Sequence, residues 1–168
     1  MRENSLSVES LEGLVEFQER IIGRLKTKDS FDFAKSALGV TCGNKRFLFD
    51  MNEIHSIIDV PARTRVPKTR SWHMGISNLR GEIYSVIDLK RFKGGESCDV
   101  GDQTRLLVIH PRHGIGACLM VDVVVGLVDI GQMTRDGETF VDPDSGSVWE
   151  LVDIPVMLKS SEFLKIKR

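Results

Sequence analysis

An all-β protein in two similar lobes, carried behind an amphipathic helix, is the fold class this sequence predicts. Three observations carry it. From Leu38 onward, apolar and polar residues alternate in short runs, the period of two that a strand with one covered face requires. Turn-forming residues punctuate those runs, with Gly43-Asn44 between two of them as a hairpin signal. Third, residues 81–92, GEIYSVIDLKRF, echo residues 146–157, GSVWELVDIPVM, and LFDM at 48–51 more weakly echoes MVDV at 120–123. The offsets are 65 and 72 residues in the same order, so one half of the chain resembles the other.

Residues 6–26 read as one helix. Leu11, Leu14, Val15, Ile21, Ile22 and Leu25 follow three-and-four spacing, Glu and Arg fill much of the other face, and Ser7 or Ser10 can cap the start. Gly13 and Gly23 cost about 1 kcal/mol each relative to Ala, so the helix needs packing to persist, in cis by preference or on a partner.

Leu38, Val40 and Cys42 alternate, as do Phe47, Phe49 and Met51 across the hairpin signal. Residues 59–74 hold Pro61 and Pro67, the cations Arg63, Arg65, Lys68 and Arg70, His73, and Trp72. A basic segment with an aromatic is one way to contact nucleic acid, and 63–70 supports that as the alternative function. The remainder of the sequence supplies no basic face to extend it.

Residues 75–92, GISNLRGEIYSVIDLKRF, carry the most specific chemistry. Gly75 and Gly81 around Asn78 mark a tight turn, because Gly and Asn tolerate the positive φ that turns require. After Gly81 a strand begins, with Ile83, Ser85, Ile87 and Leu89 on one face and Tyr84, Val86 and Asp88 on the other. Arg80 sits at the junction, offering five donors in a rigid fork, with no acid, base or nucleophile at catalytic spacing. Residues 93–104 read as a polar loop, and strands resume at 105–110. A turn follows at 111–114 and another strand run at 115–130. Residues 134–146 read as loop, and the chain closes on a strand at 147–153 and a short helix from Ile154. Asp88 and Asp153 each end a strand and start a helical turn, a position for an N-cap.

The composition is that of a soluble globular chain of 168 residues with 41% hydrophobic and 28% charged residues. A formal charge of −1 gives no net attraction to nucleic acid or anionic membrane, and no apolar run reaches the roughly 20 residues a bilayer demands. The amino terminus is acidic where a secretory signal is basic, and the odd Cys42, Cys98 and Cys118 never fall as CxxC. A reducing cytoplasm is the expectation. Cys42 and Cys118 read as buried thiols and Cys98 as a loop residue.

No phosphate loop, GxSxG elbow or HExxH is present, and His110 and His113 about Pro111 read as a solvated turn rather than a metal site. Asp142 and Asp144 in VDPDSGS resemble part of a calcium loop in residue type only, since the twelfth position is Asp153 and not Glu. No cofactor, metal or covalent chemistry is expected.

The block 67–89 resembles the CheW family of chemosensory adaptors, in which a Pro, an aromatic or apolar residue, a Gly, an Asn-Leu-Arg-Gly turn, a strand and Asp-Leu follow in order. Here these are Pro67, Trp72, Gly75, Asn78 to Gly81, Ile83 to Ile87 and Asp88-Leu89, and Val121-Asp122-Val123-Val124 matches a second hallmark. The leading helix and Phe163-Leu164 look more like the PilI branch, which serves twitching motility. The resemblance implies two intertwined five-stranded SH3-like β-barrels over 37–158, preceded by the helix and linker of 1–36 and followed by a tail at 159–168. It implies binding alone, linking the tip of a chemoreceptor to a CheA-type histidine kinase, with no nucleic acid partner and no membrane insertion. Asn78, Leu79, Arg80 and Gly81 are the implied partner-binding turn, with Trp72, Met74, Ile76 and Val66 as apolar anchors beside it. Two departures stand out: the glutamate common in the family falls on Ser56 or Glu53, and Tyr84-Ser85 replaces a frequent Val-Pro.

Overall fold

The computed structural model describes residues 36–167, and the helix expected at 6–26 lies outside the described residues. The described chain forms two β-sheets. The first sheet contains β1 (Ser36–Cys42), β2 (Lys45–Phe49), β8 (Val123–Asp129), β9 (Thr134–Asp136), β10 (Thr139–Val141) and β11 (Val148–Leu151), in the order β8-β1-β2-β11-β10-β9. The second contains β3 (Ile54–Asp59), β4 (His73–Leu79), β5 (Glu82–Asp88), β6 (Arg105–Ile109) and β7 (Ala117–Val121), in the order β3-β6-β7-β5-β4.

The internal echo is a repeat of topology. In each sheet a central hairpin, β1–β2 or β6–β7, pairs in parallel with one strand of a second hairpin, β11 or β5, with Leu48 opposite Leu151 and Ile87 opposite Leu119. Each sheet takes its outer strand from the chain leaving the other. β3 follows β2 but pairs with β6, and β8 follows β7 but pairs with β1. That exchange interlaces the two lobes. After β5 and β11 come the matching helices α1 (Leu89–Phe92) and α2 (Ile154–Lys159). Asp88 caps α1 through the Arg91 amide at 3.1 Å, and Asp153 caps α2 through the Val156 amide at 3.0 Å. Pro155 lies in the first turn of α2, where no amide donor is required.

Two segments differ from expectation. The run 115–130 is two strands, broken at Asp122, whose carboxylate accepts a hydrogen bond from the Gly43 amide at 2.5 Å where the chain crosses between sheets. The stretch 134–146, expected as loop, contains β9 and β10, and with β9 at its edge the first sheet has six strands instead of five. Each is only three residues long, and pairing defines them rather than local pattern: β10 pairs with β11, and β9 with β10 across the Gly137 turn.

The main core lies between the sheets. Leu38, Val40, Phe47 and Phe49 of the first meet Ile87, Leu107, Ile109 and Leu119 of the second. Alternate residues of the second sheet, Tyr84, Val86, Leu106, Val108, Cys118 and Met120, fill a separate cluster on its other face. Burial on both faces explains the unbroken apolar run of β6. The end of the chain belongs to this core too. Past α2, α3 (Ser161–Leu164) buries Phe163 against Trp72 and Phe92, and Ile166 packs alongside.

Gly75 lies within β4 rather than in a turn. A Cβ there would meet the Thr64 carbonyl oxygen at 2.3 Å, and its φ is +122°. The glycine lets the 61–65 segment lie along the free edge of β4, where Thr64 and Ile76 exchange backbone hydrogen bonds at 2.8 and 2.9 Å.

Candidate functional site

β4 and β5 join through the two-residue turn Arg80–Gly81, with Leu79 opposite Glu82. Both turn residues have positive φ, +54° for Arg80 and +90° for Gly81, the geometry whose twist matches paired strands. Asn78 completes it: its Oδ1 accepts from the Gly81 amide at 2.8 Å. Gly suits this turn, but an arginine in left-handed backbone costs roughly 1–2 kcal/mol. Its guanidinium is exposed and has no ion-pair or hydrogen-bond partner among the described residues. The fork stands over a cavity of about 470 Å³ walled by His55, Ser56, Leu79, Tyr84 and Pro111 among others. Tyr84 donates to Glu82 at 3.1 Å, and burial first, then that carboxylate, raises its pKa.

The structure divides the expected partner-binding residues among three places. Asn78, Leu79 and Arg80 line the cavity at the hairpin tip, with Gly81 exposed in the turn. Val66, Met74 and Ile76 line two adjoining cavities beside the first half of β4, Met74 in one, Ile76 in the other and Val66 in both. Trp72 is neither; at 5% exposure it is a core residue, stacked on Phe163 at 6.1 Å and meeting Phe92 edge-on at 5.2 Å. An aromatic flanked by Arg70, Ser71 and His73 looks like a surface anchor in sequence, and the distant Phe163 covers it.

Of the two positions that could match the family glutamate, Glu53 is committed inside the chain. Its carboxylate receives Arg112 at 2.6 Å and contacts His113, and its carbonyl accepts the His110 amide at 2.9 Å. Ser56 instead lines the cavity beneath Arg80. His110, placed in a turn by sequence, caps that turn through Nδ1 and meets His55 edge-on at 5.6 Å. Nothing in the sequence signals His55 or Pro111 beside Arg80, since β3 and the 111–113 turn reach it only through the second sheet.

The groove at the far end of β4 is basic. Two cavities of about 760 and 870 Å³ share Val66, Lys68, Arg70 and His73 in their walls. Arg63, Arg65 and Arg91 line the first and Lys165 and Lys167 the second, so the fold assembles a basic face that no single stretch of sequence displays. The C-terminal segment is fixed there: the Arg70 amide donates to the Ile166 carbonyl at 2.8 Å, and Arg70 Nε to the Lys165 carbonyl at 3.3 Å. His73 lies in both walls, with Nδ1 unpartnered and its pKa lowered by burial.

The three cysteines are free and buried, Cys98 included, although it sits in a polar loop. Burial pushes Cys42 and Cys118 up to about 12, and burial first, then the neighbouring Asp122 carboxylate, raises Cys98 as well. Asp142 turns its carboxylate onto its own loop, accepting from the Asp144 amide at 3.0 Å and Ser145 Oγ at 2.6 Å. Among the described residues no helix is long and apolar enough to cross a membrane.

Comparison with known proteins places these features in context. The CheW-like domain family matches residues 36–161. Protein PilI of Pseudomonas aeruginosa is 32% identical over 92 residues, 55% of this chain and 51% of that one. Chemotaxis protein CheW of Helicobacter pylori is 26% identical over 126 residues, 75% of each chain. Protein FrzA of Myxococcus xanthus is 31% identical over 85 residues, 51% of this chain and 52% of that one. The chain thus spans about half the length of PilI and FrzA. The crystal structure of the scaffolding protein TtCheW from Thermoanaerobacter tengcongensis has the same fold. Its TM-score is 0.64 at 19% identity, over 76% of this chain and 90% of that one.

Proposed function

The chain belongs to the CheW-like domain family, and from that premise we propose that it is a non-enzymatic adaptor coupling chemoreceptors to a CheA-type histidine kinase in a cytoplasmic chemosensory array. The similarity to PilI favours twitching motility as the output over swimming. In this reading residues 37–158 are the adaptor proper.

Arg80 carries the proposal. A cation kept in strained backbone, exposed and unpartnered within the described chain, is preorganised to meet carboxylates or carbonyls of another molecule. Leu79 and the cavity beneath it supply the apolar contact that surrounds such an anchor.

The test is capture of the kinase and the receptor from the native host on immobilised full-length chain. Arg80→Ala leaves a non-glycine residue with the same strain at positive φ and removes an exposed side chain beyond Cβ, so its melting temperature is expected within about 1–2 °C of the parent. Loss of an interface anchor of about 2 kcal/mol should weaken capture roughly 30-fold. An Arg80→Ala chain that melts well below the parent would instead give the arginine a structural role.

A further inference from the structure

We propose that the basic groove between the 63–71 loop and residues 164–167 is a second docking site, occupied by an extended segment of a partner protein in which acidic and aliphatic residues alternate. The proposal rests on charge and shape at this groove and not on the adaptor reading.

Arg63, Arg65, Lys68, Arg70, Lys165 and Lys167 converge here, and no Asp or Glu lines either cavity. None of these cations is in an ion pair among the described residues, whereas Lys93, Arg105 and Arg112 each have a carboxylate within 3.3 Å. Crowding like charges without a counter-ion is unfavourable in the free chain and relieved by an anionic ligand.

The backbone points the same way. Among the described residues only Lys68 and Arg80 are non-glycines with positive φ, and both are exposed cations. At Lys68 φ is +58°, where Gly or Asn would fit with less strain. As at Arg80, an unfavourable conformation holds a charged side chain outward, here over the groove.

Shape and lining then choose the occupant. Val66, Ile76 and Ile166 form apolar wall between the cations, and Leu164 beside them is 65% exposed. A purely polyanionic ligand would leave these aliphatic groups in contact with water, whereas an alternating segment covers them with one face and meets the lysines with the other. Nucleic acid lacks its stacking platform: Trp72 and His73, the aromatic residues of this region, are 5% and 7% exposed. Arg80 follows the far end of β4, about 20 Å along the strand from His73 and about 13 Å from Ile76, and no residue lines both sites, so the two can be filled independently.

The experiment is fluorescence anisotropy on the full-length chain with three labelled probes: a peptide alternating Glu with Leu, the same peptide with Gln for Glu, and a single-stranded oligothymidylate. The Glu peptide is expected to bind at least about 10-fold tighter than the Gln peptide, with an affinity that falls as salt rises. Lys68→Glu combined with Lys167→Glu should weaken it by a further 10-fold or so, while the charge-matched control Lys45→Glu with Lys159→Glu should not. If the reversed pair melts early, Lys68→Asn with Lys167→Gln replaces it, with the same direction expected. Equal binding of the Glu and Gln peptides, or no effect of either groove variant, overturns the proposal. Tighter binding of the oligothymidylate than of the Glu peptide also overturns it and makes the groove a nucleic-acid contact.

Discussion

Replacing Trp72 by Ala is expected to destabilise the fold by about 3–5 kcal/mol, the range for deleting a buried large aromatic. That is a large part of the roughly 5–15 kcal/mol that holds a domain together, and on the order of 10 °C in melting temperature. The ring closes a three-way aromatic contact with Phe92 of α1 and Phe163 of α3. Its loss therefore opens the core where the first hairpin of the second sheet meets the chain's C-terminal helix. Thermal unfolding monitored by far-UV circular dichroism decides between this and the surface role that the sequence suggests. An interface anchor would lose binding and keep its melting temperature. Trp72→Ala should lose stability first.

Asp88→Ala is expected to cost about 3 kcal/mol, and Asp153→Ala only about 1 kcal/mol, although the two residues cap equivalent helices. The difference lies in the second oxygen. Asp88 Oδ1 caps α1, while Oδ2 accepts the Cys98 amide at 2.8 Å and Ser97 Oγ at 3.4 Å, all at a residue with no exposed surface. Truncation strands buried donors as well as uncapping a helix. Asp153 is half-buried, and its carboxylate accepts only from the Val156 amide among the described residues. Parallel urea titrations of the two variants measure the gap, and equal losses would show that the loop at 97–98 draws nothing from Asp88. Asp88→Asn retains an acceptor for one of the two amides and should fall between.

That same pair shows what is legible in the chain. Capping is local: an Asp three residues before the amide it accepts, after a strand and before an apolar turn, is visible in any window of a dozen residues, and the repeat displays it twice. The Arg80–Gly81 junction is legible for the same reason. Interlacing is not. Asp122 breaks a run of apolar residues whose period does not change, and only its bond to Gly43, 79 residues earlier, reveals a crossing between sheets. β9 and β10 are three residues each and exist because β10 finds β11, and β9 then finds β10. Burial of Trp72 depends on Phe163, and the basic face on Arg91, Lys165 and Lys167 joining the 63–70 segment. Each of these is a long-range contact between stretches that look ordinary alone. Sequence reading therefore groups the Asn78–Gly81 turn with a core tryptophan and the aliphatic wall of a separate groove.

Receptor control of kinase autophosphorylation tests the coupling role most directly. A CheA-type kinase and a receptor cytoplasmic fragment from the native host are assayed with and without the purified full-length chain. Phosphorylation is predicted to respond to the receptor fragment only when the chain is present, and the response should be strongly reduced with Arg80→Ala. An equal response in the absence of the chain would contradict the account.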